Sequence, residues 1–62
     1  MKRGDLIRYL RKHGCEFCRE GGNHTVFVSS ATNAVASVPR HIEIKNKLAR
    51  KICDELGIPR IW

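Results

Sequence analysis

The sequence predicts an α+β fold, a two-layer α-β-β-β-α sandwich whose antiparallel three-stranded sheet carries both helices on one face. Three observations predict it. Apolar residues recur at helical spacing near each end of the chain, the middle is built of short β-branched and aromatic runs, and glycine or asparagine separates those runs. A chain of 62 residues has room for one domain, spanning residues 1–62, with a modest core, because small domains bury a lower fraction of their surface than large ones.

The first helix runs from Arg3 to His13. Leu6, Ile7 and Leu10 share one side of it, while Arg8, Arg11 and Lys12 fall on the other. Asp5 in the first turn and Arg11, Lys12 and His13 in the last complement the helix dipole, and Gly14 can supply the left-handed residue that ends it. Next, "CEFCRE" and "HTVFVSS" flank "GGN", whose residues accept positive φ at little cost, so the pair reads as a β-hairpin. "VFV" does not alternate with polar residues, so either Phe27 or the pair Val26 and Val28 faces the core. A turn at "TNA" leads to "AVASV", a third strand stopped by Pro39, whose nitrogen cannot donate to a ladder. From Asn46 onward, Leu48, Ala49, Ile52, Cys53 and Leu56 mark a second helix, ended by Gly57 and kept from resuming by Pro59. Lys47, Arg50 and Lys51 share its outer face, and the tail "IPRIW" offers Trp62 as a residue to dock back on the domain.

Twelve Lys and Arg against six Asp and Glu give a formal net charge of +6. That excess favours a polyanionic partner, nucleic acid ahead of a membrane surface, with a merely soluble basic surface as the plain alternative. No stretch approaches the roughly 20 apolar residues of a membrane span, and "MKRGDLIRYL" lacks an apolar signal core and a cleavage site. A cytoplasmic protein without membrane attachment is expected. Three cysteines cannot all pair within one chain, and a reducing compartment is the simpler assumption.

Cys15, Cys18, His24 and Cys53 can be drawn as a zinc site, but residues three apart on an extended strand point to opposite faces. Neither a glycine knuckle after Cys18 nor a second C-x-x-C is present. Cys15 and Cys53 read as small core residues, and no metal or cofactor is expected. With no phosphate loop, carboxylate pair or serine elbow, enzymatic chemistry would rest on histidine. His13, at a helix end, suits a dipole-stabilised surface role, and His41, after "VPR", can bond backbone groups or reach a phosphate. His24 follows Gly21 and Gly22, where missing side chains would let a phosphodiester backbone come close; a turn residue or satisfied strand histidine is the plainer reading. Arg19 on the first strand, Arg40 after the third, and Lys47, Arg50 and Lys51 on the last helix can grip phosphates on either side of a bound strand. A solvated helix face is the alternative there, and aromatics for base stacking are few.

Taken together, "GCEFCREGGNHTVF", "SVPRH" and "LARKICDELGI" resemble the HicA family of bacterial and archaeal toxins over nearly the whole chain. In that family a helix ends in glycine before an aromatic-rich strand, an arginine follows, and a glycine precedes Ser-His or Asn-His. Gly14, Arg19 and Gly22-Asn23-His24 match this pattern, and Val38-Pro39-Arg40-His41 and Leu56-Gly57-Ile58 match the family's later Val-Pro-x-His and Leu-Gly-Ile. Cys15 stands where many members have an aromatic, and Asn23 where serine is commoner. The resemblance implies a fold like a double-stranded RNA-binding domain, used as a translation-independent ribonuclease that cleaves mRNA. It implies His24 as the catalytic histidine and a HicB-like antitoxin as the neutralising partner, with no DNA binding by this chain alone. An imidazole can accept the proton of a ribose 2′-hydroxyl so that the oxygen attacks the adjacent phosphorus, and His41 is then the candidate acid for the leaving oxygen. A non-catalytic RNA-binding module of the same fold would bind RNA and leave it uncut, and a zinc-stabilised module would show metal on analysis.

Overall fold

The computed structural model describes residues 1–61, so the docking expected of Trp62 lies outside the described residues. Along the chain come α1 (Arg3–Lys12), β1 (Cys15–Gly21), β2 (His24–Ser29), β3 (Val35–Pro39) and α2 (Asn46–Leu56). The strands form one antiparallel sheet in the order β1-β2-β3. This is the α+β arrangement expected from the hydrophobic periods. No helix among the described residues is long and apolar enough to cross a membrane.

Register decides which face is core. Phe27 pairs with Ala36, Thr25 with Val38, and Cys15 with Ser29, so these six side chains share one face of the sheet. Leu6 and Leu10 of α1 and Ala49, Ile52, Cys53 and Leu56 of α2 close over that face, joined by Ile44. Phe27 is 2% exposed and settles the ambiguity of "VFV". Burying such a ring stabilises by roughly 1.5–3 kcal/mol, a large share for a small domain. Cys15 and Cys53 are buried in this core, as read from the sequence, and Cys18 is exposed.

Each break is where the backbone can take a left-handed turn. Gly14 ends α1 at φ 81°, Gly57 ends α2 at φ 72°, and Asn33 turns β2 into β3 at φ 60°. Within "GGN" only Gly22 has positive φ (56°). Gly21 is not part of the turn, contrary to the reading of the whole triplet as loop. It is the last residue of β1 and pairs with His24, leaving Gly22 and Asn23 as a two-residue hairpin loop.

The sequence reading also missed a β-bulge. Phe17 opposes Phe27, but the next paired residue is Arg19, opposite Val26, and Cys18 is the extra residue between them. A bulge reverses the alternation beyond it. Phe17 lies on the helix side, and without the extra residue Arg19 would lie there too; with it, Arg19 and Gly21 join Val26 and His24 on the open side.

The sheet end bearing His24 is tied to α1 by Arg3. Its Nε donates to the carbonyl of Pro39 (2.9 Å) and its Nη2 to Thr25 Oγ1 (2.9 Å). Thr25 Oγ1 in turn donates to Glu20 Oε1 (3.0 Å), which also accepts from Arg40 Nη2 (2.7 Å). Thr25 adjoins His24 in sequence and Pro39 opposes it across the ladder, so this network fixes the backbone on both sides of the histidine.

Candidate functional site

The face of the sheet away from the helices carries Glu16 and Arg19 from β1, His24, Val26 and Val28 from β2, and Val35, Ser37 and Pro39 from β3. An open groove of ≈ 390 Å³ crosses this face and continues over the β3 edge to α2. Its lining is apolar at Val26, Val35, Ala36, Pro39 and Leu48. Arg19, His24 and Lys51 add an imidazole and two cations, and Glu55 is the one carboxylate among its described lining residues.

The position of Arg19 follows from what Gly21 lacks. A Cβ placed on Gly21 would stand 3.3 Å from Arg19 Nη1 and 3.8 Å from Val26 Cγ2. The guanidinium therefore occupies space that a side chain at position 21 would take, beside the residue that pairs with His24. Both Arg19 and His24 are exposed, and neither Arg19 nor Lys51 makes an ion pair among the described residues. Unpaired cations at an open groove remain available to an anion from solution.

The other predicted residues divide. Lys47 and Arg50 line a second groove on α2, together with Lys45, Arg60 and the shared residues Leu48 and Lys51. Arg40 lines neither groove and is committed to Glu20, whose carboxyl is held below the usual carboxylate range chiefly by the Arg40 hydrogen bond, aided by Thr25. Arg60 donates Nε and Nη2 to the two oxygens of Asp54 (2.9 and 2.8 Å), and that pair depresses the Asp54 carboxyl. His41 is exposed on the β3–α2 connector and does not line the groove of His24. His13 packs against Tyr9 with the rings tilted by 48° and their centroids 4.4 Å apart, and lines neither groove. Burial pushes the Cys15 and Cys53 thiols up, away from thiolate chemistry. No cluster of three or more His, Cys, Asp or Glu side chains among the described residues is grouped to hold a metal ion.

A family model described as the HicA toxin of bacterial toxin–antitoxin matches residues 3–58, from the first residue of α1 to just past the end of α2. The chain belongs to the HicA toxin family. It is thus the toxin of a toxin–antitoxin system, and its family implies an antitoxin partner. No curated protein and no solved structure matches the chain. In this HicA-family toxin the Gly-Asn-His stretch that carried the resemblance is the hairpin loop and the first residue of β2, which presents His24 at one end of the groove. Three residues escaped sequence reasoning. Arg3 opens α1, Lys45 lies in the connector before α2 and Arg60 lies in the tail, and none carries a local pattern that would have drawn attention to it.

Proposed function

We propose that this toxin is an endoribonuclease that cleaves mRNA in the cytoplasm, with His24 as its acid–base residue, and that a HicB-like antitoxin neutralises it. The observation that carries this reading is the convergence of His24, Arg19 and Lys51 on one open groove with an apolar lining. Sugar faces and bases rest on Val26, Pro39 and Leu48, while phosphate oxygens meet the two cations.

His24 accepts the proton of a ribose 2′-hydroxyl, since imidazole is the side chain whose ordinary charge change falls near neutral pH. The freed oxygen attacks the adjacent phosphorus, the bond from phosphorus to the 5′ oxygen breaks, and the products are a 2′,3′-cyclic phosphate and a 5′-hydroxyl end. Arg19 and Lys51 stabilise the extra negative charge on the pentacovalent phosphorus, the arrangement by which fixed cations lower such barriers. His41 stands outside the groove, so we assign the proton on the leaving 5′ oxygen to solvent, to which the groove is open. Arg3 acts at one remove, holding Thr25 and Pro39 on either side of the imidazole. An antitoxin surface with carboxylates over Arg19 and Lys51 would close the same groove.

The test is cleavage of RNA by purified His24→Ala protein. A general acid or base contributes about 10²- to 10⁴-fold, so the rate falls by that factor while the circular dichroism spectrum is unchanged, because the side chain is exposed and makes no hydrogen bond among the described residues. Cleavage at the wild-type rate would refute the assignment. RNA binding without cleavage by the wild-type protein would make it the non-catalytic module instead.

A further inference from the structure

The groove of His24 and the groove on α2, ≈ 390 and ≈ 600 Å³, share Leu48 and Lys51 and so form one path. It begins at Arg19 and His24 on the open sheet face, turns over the β3 edge, and continues along α2 between Lys45, Lys47, Arg50 and Arg60. Charge along this path is lopsided. Towards α2 there are five cations beyond His24, counting Lys51, with Asp54 and Glu55 as the carboxylates among the described lining residues. In the other direction lies β1, where Arg19 at the start of the path is the one cation of the strand, and the carboxylates are Glu16 and Glu20, the latter already neutralised by Arg40. The groove beside Arg11 and Glu16 shares no lining residue with that of His24.

We propose, resting on the ribonuclease reading, that the RNA is held from one side only. The scissile phosphate sits between His24 and Arg19 at the end of the cationic path, the flank on one side of it crosses the β3 edge to the α2 groove, and the other flank leaves past β1 with no cation of that strand beyond Arg19. The substrate segment is single-stranded. A duplex is stiff over lengths of about 50 nm, measured for DNA, and cannot follow a bend around a strand edge within a molecule whose longest extent is 28 Å.

The experiment uses an RNA oligonucleotide with one mapped cleavage site and about 10 nucleotides on each side, within the site sizes of single-strand binders. Each flank is shortened in turn to one nucleotide. Trimming one flank leaves kcat/KM within about twofold, whereas trimming the other lowers it about tenfold or more, mainly through KM, because the cations on α2 then have no phosphates to hold. Equal losses on the two flanks, or none on either, overturn the proposal. Lys45→Ala/Lys47→Ala protein brings the full-length substrate down to the level of the one trimmed on the sensitive side; a proportional loss on both substrates overturns the path over α2. The same sequence in a duplex resists cleavage, and equal cutting overturns the single-strand requirement. His24→Ala protein that still cuts the full oligonucleotide refutes the ribonuclease reading itself. An inactive His24→Ala together with symmetric flank losses refutes only the one-sided hold.

Discussion

Replacing Gly21 by valine separates the geometry of the groove from the stability of the fold. Gly21 has ordinary strand backbone, so valine fits its φ without strain, and β-branched residues favour strands. The added Cβ stands 3.3 Å from Arg19 Nη1, and its two methyls reach about 1.5 Å further, so the guanidinium is displaced from its place over Gly21, the residue that pairs with His24. Removing one charge-assisted hydrogen bond from the transition state costs about 1.5–3 kcal/mol, which corresponds to a fall in kcat/KM of roughly 10- to 150-fold. Removing a glycine from a strand stabilises by about 0.5–1 kcal/mol, which raises the Tm of a domain this size by about 2–8 °C. The two measurements therefore move in opposite directions, activity down and Tm up. Thermal denaturation followed by circular dichroism and cleavage of a fluorogenic RNA read them separately. In an Arg19→Gln background the valine adds little further loss, because the group it displaces is already gone. Wild-type cleavage by Gly21→Val protein, or a loss of activity that accompanies a lowered Tm, would refute the reasoning.

Thiol accessibility tests the core: a disulfide-exchange reagent reacts rapidly with one thiol of the native protein, Cys18, and with three after denaturation, whereas two fast native thiols would show Cys15 or Cys53 to be exposed. Acid stability tests the strap around His24. The folded-state pKa of Glu20 is depressed by the hydrogen bond from Arg40, so its stabilisation is full above the ordinary glutamate range and disappears as pH falls through the folded value. The urea midpoint of the wild type accordingly drops more steeply below about pH 4 than that of Arg40→Gln protein, and identical acid limbs would show that the pair contributes nothing.

The order of elements was legible because each boundary is marked by local chemistry. Gly14, Asn33 and Gly57 take left-handed backbone where the hydrophobic period changes, and Leu6, Leu10, Ile52 and Leu56 repeat at the spacing of a buried helix face. His24 was legible through the glycine that turns the chain before it. The facing of "VFV" was not, since Phe27 and Val26 are both buried, one in the core and the other at 8% exposure in the groove lining. Nor was the bulge at Cys18, which depends on how β1 registers with β2 and leaves no mark in the composition of β1. That one residue determines whether Arg19 stands with His24 or behind the sheet. Arg40 illustrates the converse: a basic residue near a histidine in sequence is spent on Glu20, a partner twenty positions away that no local pattern connects to it.

The cations of the protein sort by what holds them. Arg3, Arg8, Arg40 and Arg60 are tied to Thr25, Asp5, Glu20 and Asp54, in interactions that anchor α1, the sheet end and the tail. Arg19, Lys45, Lys47, Arg50 and Lys51 have no ion-pair partner among the described residues and all line the path from His24 to α2, whereas Lys2, Arg11 and Lys12 are likewise unpaired but line neither of its two grooves. Leaving like charges unpaired along one path raises the free energy of the folded toxin, since they repel one another and Glu55 is the one lining carboxylate, among the described residues, not already bound to an arginine. A polyanion laid on them relieves that repulsion, and so does an acidic protein surface. On the proposed ribonuclease reading, the same unneutralised charge would draw RNA to the open face and would make it the face on which an antitoxin gains most by binding. That proposal predicts that substrate and antitoxin compete for one surface, so that RNA bound to the toxin is displaced by antitoxin in a competition assay, and simultaneous binding of both would refute it.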